Sequence, residues 1–235
     1  MLTTSSELAA MLEMTATRGI ELCLFVGSPR WMGNGSPTMN FNGRALASTL
    51  HGSEELAWSL EDIVWACELG LRSILAADIG LIYAIKQLKT SGDLPEDLVV
   101  KVSASLLVTN PATAVVFEDL GATTLDLPVD LPIQTLSAIR SSTTLPLDLY
   151  IDGPGDLASP VRYYELPEVV RVGSPVYLNF TVRNAPSLPR SGGHNIQSLV
   201  EALAKARVRH ISSGVRVLNQ YLPGARVSAV ARPSS

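Results

Sequence analysis

Sulfur chemistry is nearly absent from this chain: its 235 residues include two cysteines, Cys23 and Cys67, both in apolar stretches. Two cysteines exclude a disulfide framework and a thiolate metal site of the usual spacing, and buried free thiols in a reducing cytoplasm are expected. Histidine is scarce too, limited to His51, His194 and His210, and neither His-Glu-x-x-His nor Gly-x-Ser-x-Gly occurs. Zinc hydrolysis and a serine triad therefore have no motif behind them, and no metal or other cofactor is expected. Basic clusters are missing: 18 Lys and Arg face 22 Asp and Glu, for a net charge of −4. The electrostatic footprint of a nucleic-acid or anionic-membrane binder is absent, so neither is an expected partner. No apolar run is long enough to span a bilayer. The N-terminus "MLTTSSELAAMLEMTATRG" has no basic n-region and reads as an amphipathic helix, capped at Thr4 or Ser5 with Glu7 in its first turn. A cytoplasmic protein is expected.

What the chain does have is apolar substance in regular alternation. It is 46% hydrophobic and 17% charged with mean hydropathy +0.24, enough to bury a full core. Strand-like runs fall at 20–26, 73–78, 98–104, 122–128, 147–153 and 176–184. Helical patterns lie between them at 54–69 with Ser53 as cap, 79–90, 110–120 with Pro111 in the first turn and Gly121 at the end, 131–141, and 195–221. Repeated β-α predicts a parallel sheet. One domain over 1–225 is expected, with 226–235 as a frayed tail.

Parity narrows the architecture. Side chains alternate faces along a strand. Val100, Val102 and Ala104 thus oppose Lys101, Ser103 and Ser105; Leu125 and Leu127 oppose Thr124 and Asp126; Leu147, Leu149 and Ile151 oppose Asp148, Tyr150 and Asp152. In the last strand Val176, Leu178, Phe180 and Val182 oppose Tyr177, Asn179, Thr181 and Arg183. An open sheet covered by helices on both faces has strands apolar on both. These strands are apolar on one, which predicts a (β/α) TIM-like barrel with a polar interior, its site at the C-terminal ends of the strands. Lys101, Asp126 and Asp152 are the candidate catalytic residues there. A lone buried ammonium costs several kcal/mol, so Lys101 needs a carboxylate partner. Alternatively Lys101 and Asp148, near their strand starts, only plug the barrel with ion pairs.

Three runs then carry a resemblance: "VVKVSASLLVTNPATAVVFEDLGATTLDLPVDLPIQTLSAIR", "PLDLYIDGPGD" and "ELPEVVRVGSPVYLNFTVRNAPSLPRSGGHN". Together they resemble the collagenase-like peptidases of family thirty-two, of unassigned catalytic type, in their short bacterial branch. The resemblance covers roughly residues 18–222. It implies a barrel fold and a peptidase activity, in a family that also includes RNA- and quinone-hydroxylation proteins with iron–sulfur clusters. The family's cysteine-rich signature is absent, and two cysteines cannot ligate a cluster through four thiolates. Six strands are recognisable where a closed barrel has eight. An incomplete barrel is expected, its first two strands missing ahead of Met1 or its edge open to pairing with a second copy.

Loops supply the candidate binding residues. "NAPSLPRSGGHN" (184–195) leaves the last strand, and its Gly-rich entry into a helix at His194 suits an anion, with Arg183 and Arg190 in support; the same residues also read as a plain Gly-rich turn before a capped helix. The segment 27–52 is the one long loop, and its start, 27–36, reads as a lid carrying Arg30 and Trp31 or as a surface loop with no role. Asp78, Asn179, Arg183, Asn184, His194 and Arg30 are the expected contacts of a peptide or small-molecule substrate. Three functions stay open: a peptidase-like hydrolase working through paired carboxylates such as Asp126 and Asp152, a small-molecule enzyme forming a Schiff base on Lys101, and a degenerate scaffold. The helix 195–221 is expected to bury Ile196, Leu199, Val200, Leu203, Val208, Ile211, Val215 and Leu218, with Arg207 on its solvated face and His210 structural.

Overall fold

The computed structural model describes residues 3–27, 49–152, 162–180 and 197–226. In chain order the elements are α1 (Ser5–Ala16), β1 (Leu24–Val26), α2 (Gly52–Glu68), β2 (Ser73–Ala76), α3 (Ile79–Ser91), β3 (Val99–Val102), α4 (Pro111–Asp119), β4 (Thr124–Asp126), α5 (Ile133–Arg140), β5 (Leu147–Asp152), α6 (Leu166–Gly173), β6 (Val176–Phe180) and α7 (Gln197–Tyr221). Among the described residues six parallel strands follow one another in the order β1-β2-β3-β4-β5-β6 and alternate with helices, the architecture of a (β/α) barrel whose sheet is not closed by them. The expected tail lies, from Val227 on, outside the described residues.

The chain folds as two compact units: the described residues up to Val108 with Ala112–Asp126, and Thr109–Pro111 with the described residues of Leu127–Arg226.

In the first unit, Thr4 and Glu7 close a capping box on α1: the Thr4 side chain accepts from the Glu7 N–H at 3.3 Å and Glu7 Oε2 accepts from the Thr4 N–H at 2.8 Å. Helix α2 starts earlier than Ser53 predicts. Its N-cap is His51, whose side chain makes no capping hydrogen bond and whose N–H donates to Glu55 Oε2 at 2.8 Å, so a carboxylate one turn in holds the backbone of the cap residue. The strands meet in register, Ile74 beside Val100 and Ala76 beside Val102, with Val102 beside Leu125. All five are at most 1% exposed, each larger side chain contributing roughly 1.5–3 kcal/mol by leaving water. The alternate row reads Phe25, Leu75, Lys101, Thr124. Lys101 therefore shares no face with the valines that flank it, which is how an ammonium fits inside "VVKV". Helix α4 ends at Gly121, whose φ of +92° suits glycine. The Lys86 stem packs 3.3 Å from where a Cβ on Gly121 would sit, and its Nζ donates to the Asp119 carbonyl at 2.6 Å.

In the second unit, Leu147, Leu149 and Ile151 of β5 are fully buried. Helix α6 was not anticipated: "LPEVVRVG" gives two turns, too few for a helical period to stand out from a loop, yet it buries Leu166 and Val169. Strand β5 pairs with β6 as Leu147–Val176, Leu149–Leu178 and Tyr150–Asn179, and then the register slips so that Asp152, not Ile151, lies beside Phe180. Helix α7 does not present the expected stripe. Val208 is 56% exposed and Val215 46%, whereas Gly214 faces the Phe180 ring and Leu218 is buried. The packed row runs Arg207, Ile211, Gly214, Leu218, one residue away around the helix from the valines. Ile196 and the side chains of Leu199, Val200 and Leu203 lie outside the described residues.

Candidate functional site

Lys101 and Asp126 belong to the first unit. Lys101 is held at 3.8 Å from Glu21 Oε1, a residue ahead of β1 that the parity argument did not single out. Asp126 ends β4 with 2% exposure, and its Oδ2 accepts from the Ala104 N–H at 3.4 Å. Ala104 opens the 3₁₀ turn Ala104–Leu106 that follows β3, a turn also fixed by Ser103, whose Oγ accepts from the Ser105 N–H at 3.3 Å and from the Ser105 hydroxyl at 3.0 Å. Asp78 is the N-cap of α3: Oδ1 accepts from Leu81 N–H at 2.9 Å and Oδ2 from Leu50 N–H at 3.1 Å. These carboxylates hold backbone.

Asp152 has different company. It closes β5, is 4% exposed, and its Oδ2 accepts from the Tyr163 hydroxyl at 3.1 Å and from the Arg207 guanidinium, while His210 Nδ1 stands 3.4 Å away. Tyr163 comes from the 3₁₀ turn Tyr163–Glu165; Arg207 and His210, three residues apart, share one face of α7. The Tyr163 ring stacks on Phe180 at 6.0 Å and meets the His210 ring edge-on at 6.5 Å. Burial, the Asp152 charge and the hydrogen bond to it push the Tyr163 phenol up to about 12, against a smaller opposing pull from Arg207.

The slip in register makes this cluster. In an unbroken ladder Ile151 would meet Phe180; the extra residue brings Asp152 there instead, beside the Tyr163 ring and α7. Sequence reasoning named Asp152 but missed Tyr163, Arg207 and His210. The helical period puts Arg207 on a solvated face, yet its side chain is 19% exposed and paired with a carboxylate. The available signal was the shared helical face of Arg207 and His210, which the period-based stripe overrode.

Asn179, half-buried in β6, lies beside Tyr150. Arg30, Arg183, Asn184 and His194 lie outside the described residues. Near the N-terminus of α5 a cavity of about 310 Å³ runs past Pro132 and Gln134 to Arg162 and Glu165. The Arg162 guanidinium there donates to Glu165 Oε2 from Nε at 2.8 Å and Nη2 at 2.6 Å. Cys67 is buried, which pushes its thiol up, and Cys23 is half-buried. Among the described residues no group of three or more His, Cys, Asp or Glu could hold a metal, and no helix is long and apolar enough to cross a membrane.

No protein-family model and no curated protein matches the chain. Solved structures do. A U32 peptidase is 21% identical, over 80% of this chain and 68% of that one, at TM-score 0.44. CutC from Streptococcus agalactiae, ascribed to copper homeostasis, is 14% identical over 74% of this chain and 80% of its own, at TM-score 0.50. The YdjI aldolase from Escherichia coli K12 is 15% identical over 96% and 91%, at TM-score 0.46. What the chain has in common with CutC is the fold.

Proposed function

We propose that the chain is a peptidase-type hydrolase whose reaction centre lies at the C-terminal end of β5, around Asp152. One observation carries the reading: a nearly buried carboxylate ends a strand of a (β/α) sheet, where barrel enzymes do their chemistry, ringed by a phenol, a guanidinium and an imidazole. A carboxylate serving only the fold needs one cation or two backbone donors, as Asp78 has. Three side chains of different acidity converging on Asp152 suit proton transfer. The reaction class comes from the resemblance to the collagenase-like peptidases. In this reading Asp126 holds the turn after β3, and Lys101 with Glu21 balances charge.

The test is release of primary amines from a mixture of unstructured peptides by the purified chain. Release that falls at least 100-fold in Asp152→Asn, with both proteins folded by circular dichroism, supports the assignment. No release by the unaltered chain overturns it.

A further inference from the structure

We infer that His210 is the general base of this site, oriented by Asp152; the inference rests on the hydrolase reading above. An imidazole has two nitrogens on opposite sides of its ring, and the hydrogen bond made by one decides the state of the other. Here Nδ1 stands 3.4 Å from Asp152 Oδ2, so Nδ1 carries the proton toward the carboxylate and Nε2 is left as the acceptor. The ring is held from a second side by its edge-on contact with Tyr163 at 6.5 Å, yet the side chain is 53% exposed. With Nδ1 turned to Asp152 and half of the side chain exposed, Nε2 is the nitrogen left to meet water and substrate in this proposal. An imidazole fixed on one nitrogen by a buried carboxylate, with no hydrogen bond to the other among the described residues, is built to move a proton.

Among the described residues, the charged and titratable groups facing the imidazole are Asp152 from β5, Tyr163 from the turn before α6 and Arg207 from α7 itself. Arg207 and Tyr163 donate to the same oxygen, Asp152 Oδ2, and hold it in place, so the Asp152 position does not depend on the protonation of His210. The step balances without a co-reactant. Nε2 takes a proton from water as the water oxygen bonds to the amide carbon. The tetrahedral adduct collapses, the C–N bond breaks, and the departing amine takes that proton from Nε2, leaving a carboxylic acid and an amine. Nothing among the three histidines of the sequence marks His210 for this role; the Asp152 contact does.

Two readouts test it. In the ¹⁵N-labelled chain the His210 imidazole, assigned by its disappearance in His210→Gln, is expected as the Nδ1–H tautomer, and that preference is expected to weaken in Asp152→Asn. An Nε2–H tautomer in the unaltered chain overturns the proposal, whatever the activity. For kinetics, His210→Gln is expected to lower kcat at least 100-fold with KM changed less than 3-fold and the melting temperature held, and to remove the acid limb of the kcat/KM profile. Full kcat in His210→Gln beside loss in Asp152→Asn overturns the base while leaving the hydrolase standing. An unaltered chain that hydrolyses nothing overturns both.

Discussion

The Phe180 ring lies 3.0 Å from the point where a Cβ on Gly214 would sit, with Leu166 Cδ1 at 3.2 Å from the same point. Strand β6 and helix α7 approach so closely only because position 214 has no side chain, and that approach brings Arg207 and His210 to Asp152.

Gly214→Ala should therefore destabilise the protein, despite the gain of about 1 kcal/mol that alanine brings to a helix interior. Phe180 is backed by the stacked Tyr163 ring, so the methyl meets two side chains with little room to retreat. Overpacking of this kind costs about 1–3 kcal/mol, and a net loss near 1 kcal/mol is expected in urea unfolding. Gly224→Ala, with nothing within 4 Å of its Cβ position, is the control and should be neutral or better.

Arg207→Met should cost roughly 2 kcal/mol or more, because it leaves the Asp152 charge buried with its guanidinium gone. Arg207→Met combined with Asp152→Asn should recover part of the loss, giving a clear coupling energy in a double-mutant cycle. Arg209→Ala, on the exposed face of the same helix, should change stability by less than about 0.5 kcal/mol. Equal effects at 207 and 209 would mean that the Asp152 pair contributes nothing.

Tyr163 sets an alkaline limit. Its phenol titrates near 10 in an unfolded chain and is raised to about 12 here, so the folded state favours the protonated form. The contribution is fully present below pH 10 and is lost as pH rises toward 12. Stability measured from pH 9 upward should fall more steeply in the unaltered protein than in Tyr163→Phe, which lacks the titrating group. At neutral pH the same substitution should cost about 1 kcal/mol for the missing hydrogen bond to Asp152. Parallel curves above pH 10 would contradict the burial of this phenol.

Asp78→Ala removes the cap of α3 and the acceptor for Leu50 N–H together, and a loss of about 1–2 kcal/mol is expected by thermal unfolding. Asp78→Asn, which keeps one oxygen for Leu81 N–H, should lose less. If both variants melt with the unaltered protein, the cap geometry does not matter to the fold.

The sequence by itself determined the repeated β-α order, the parallel sheet and the faces of Val100, Lys101 and Val102, because alternation along a strand is local and needs no knowledge of neighbours. It also narrowed the first cap to Thr4 or Ser5, of which Thr4 is the cap, and determined the glycine end at Gly121, where a few adjacent residues fix the geometry. Helix α6 and the true cap of α2 escaped because two turns, or a carboxylate one turn inside a helix, give no period to read. Only the tertiary structure decided the company of Asp152. A one-residue slip between β5 and β6 put it beside Phe180 in place of Ile151, and the glycine at 214 let α7 settle close enough for Arg207 and His210, 55 and 58 residues away in sequence, to reach it. Register and helix rotation come from packing between distant segments, and no short stretch of the chain encodes them alone.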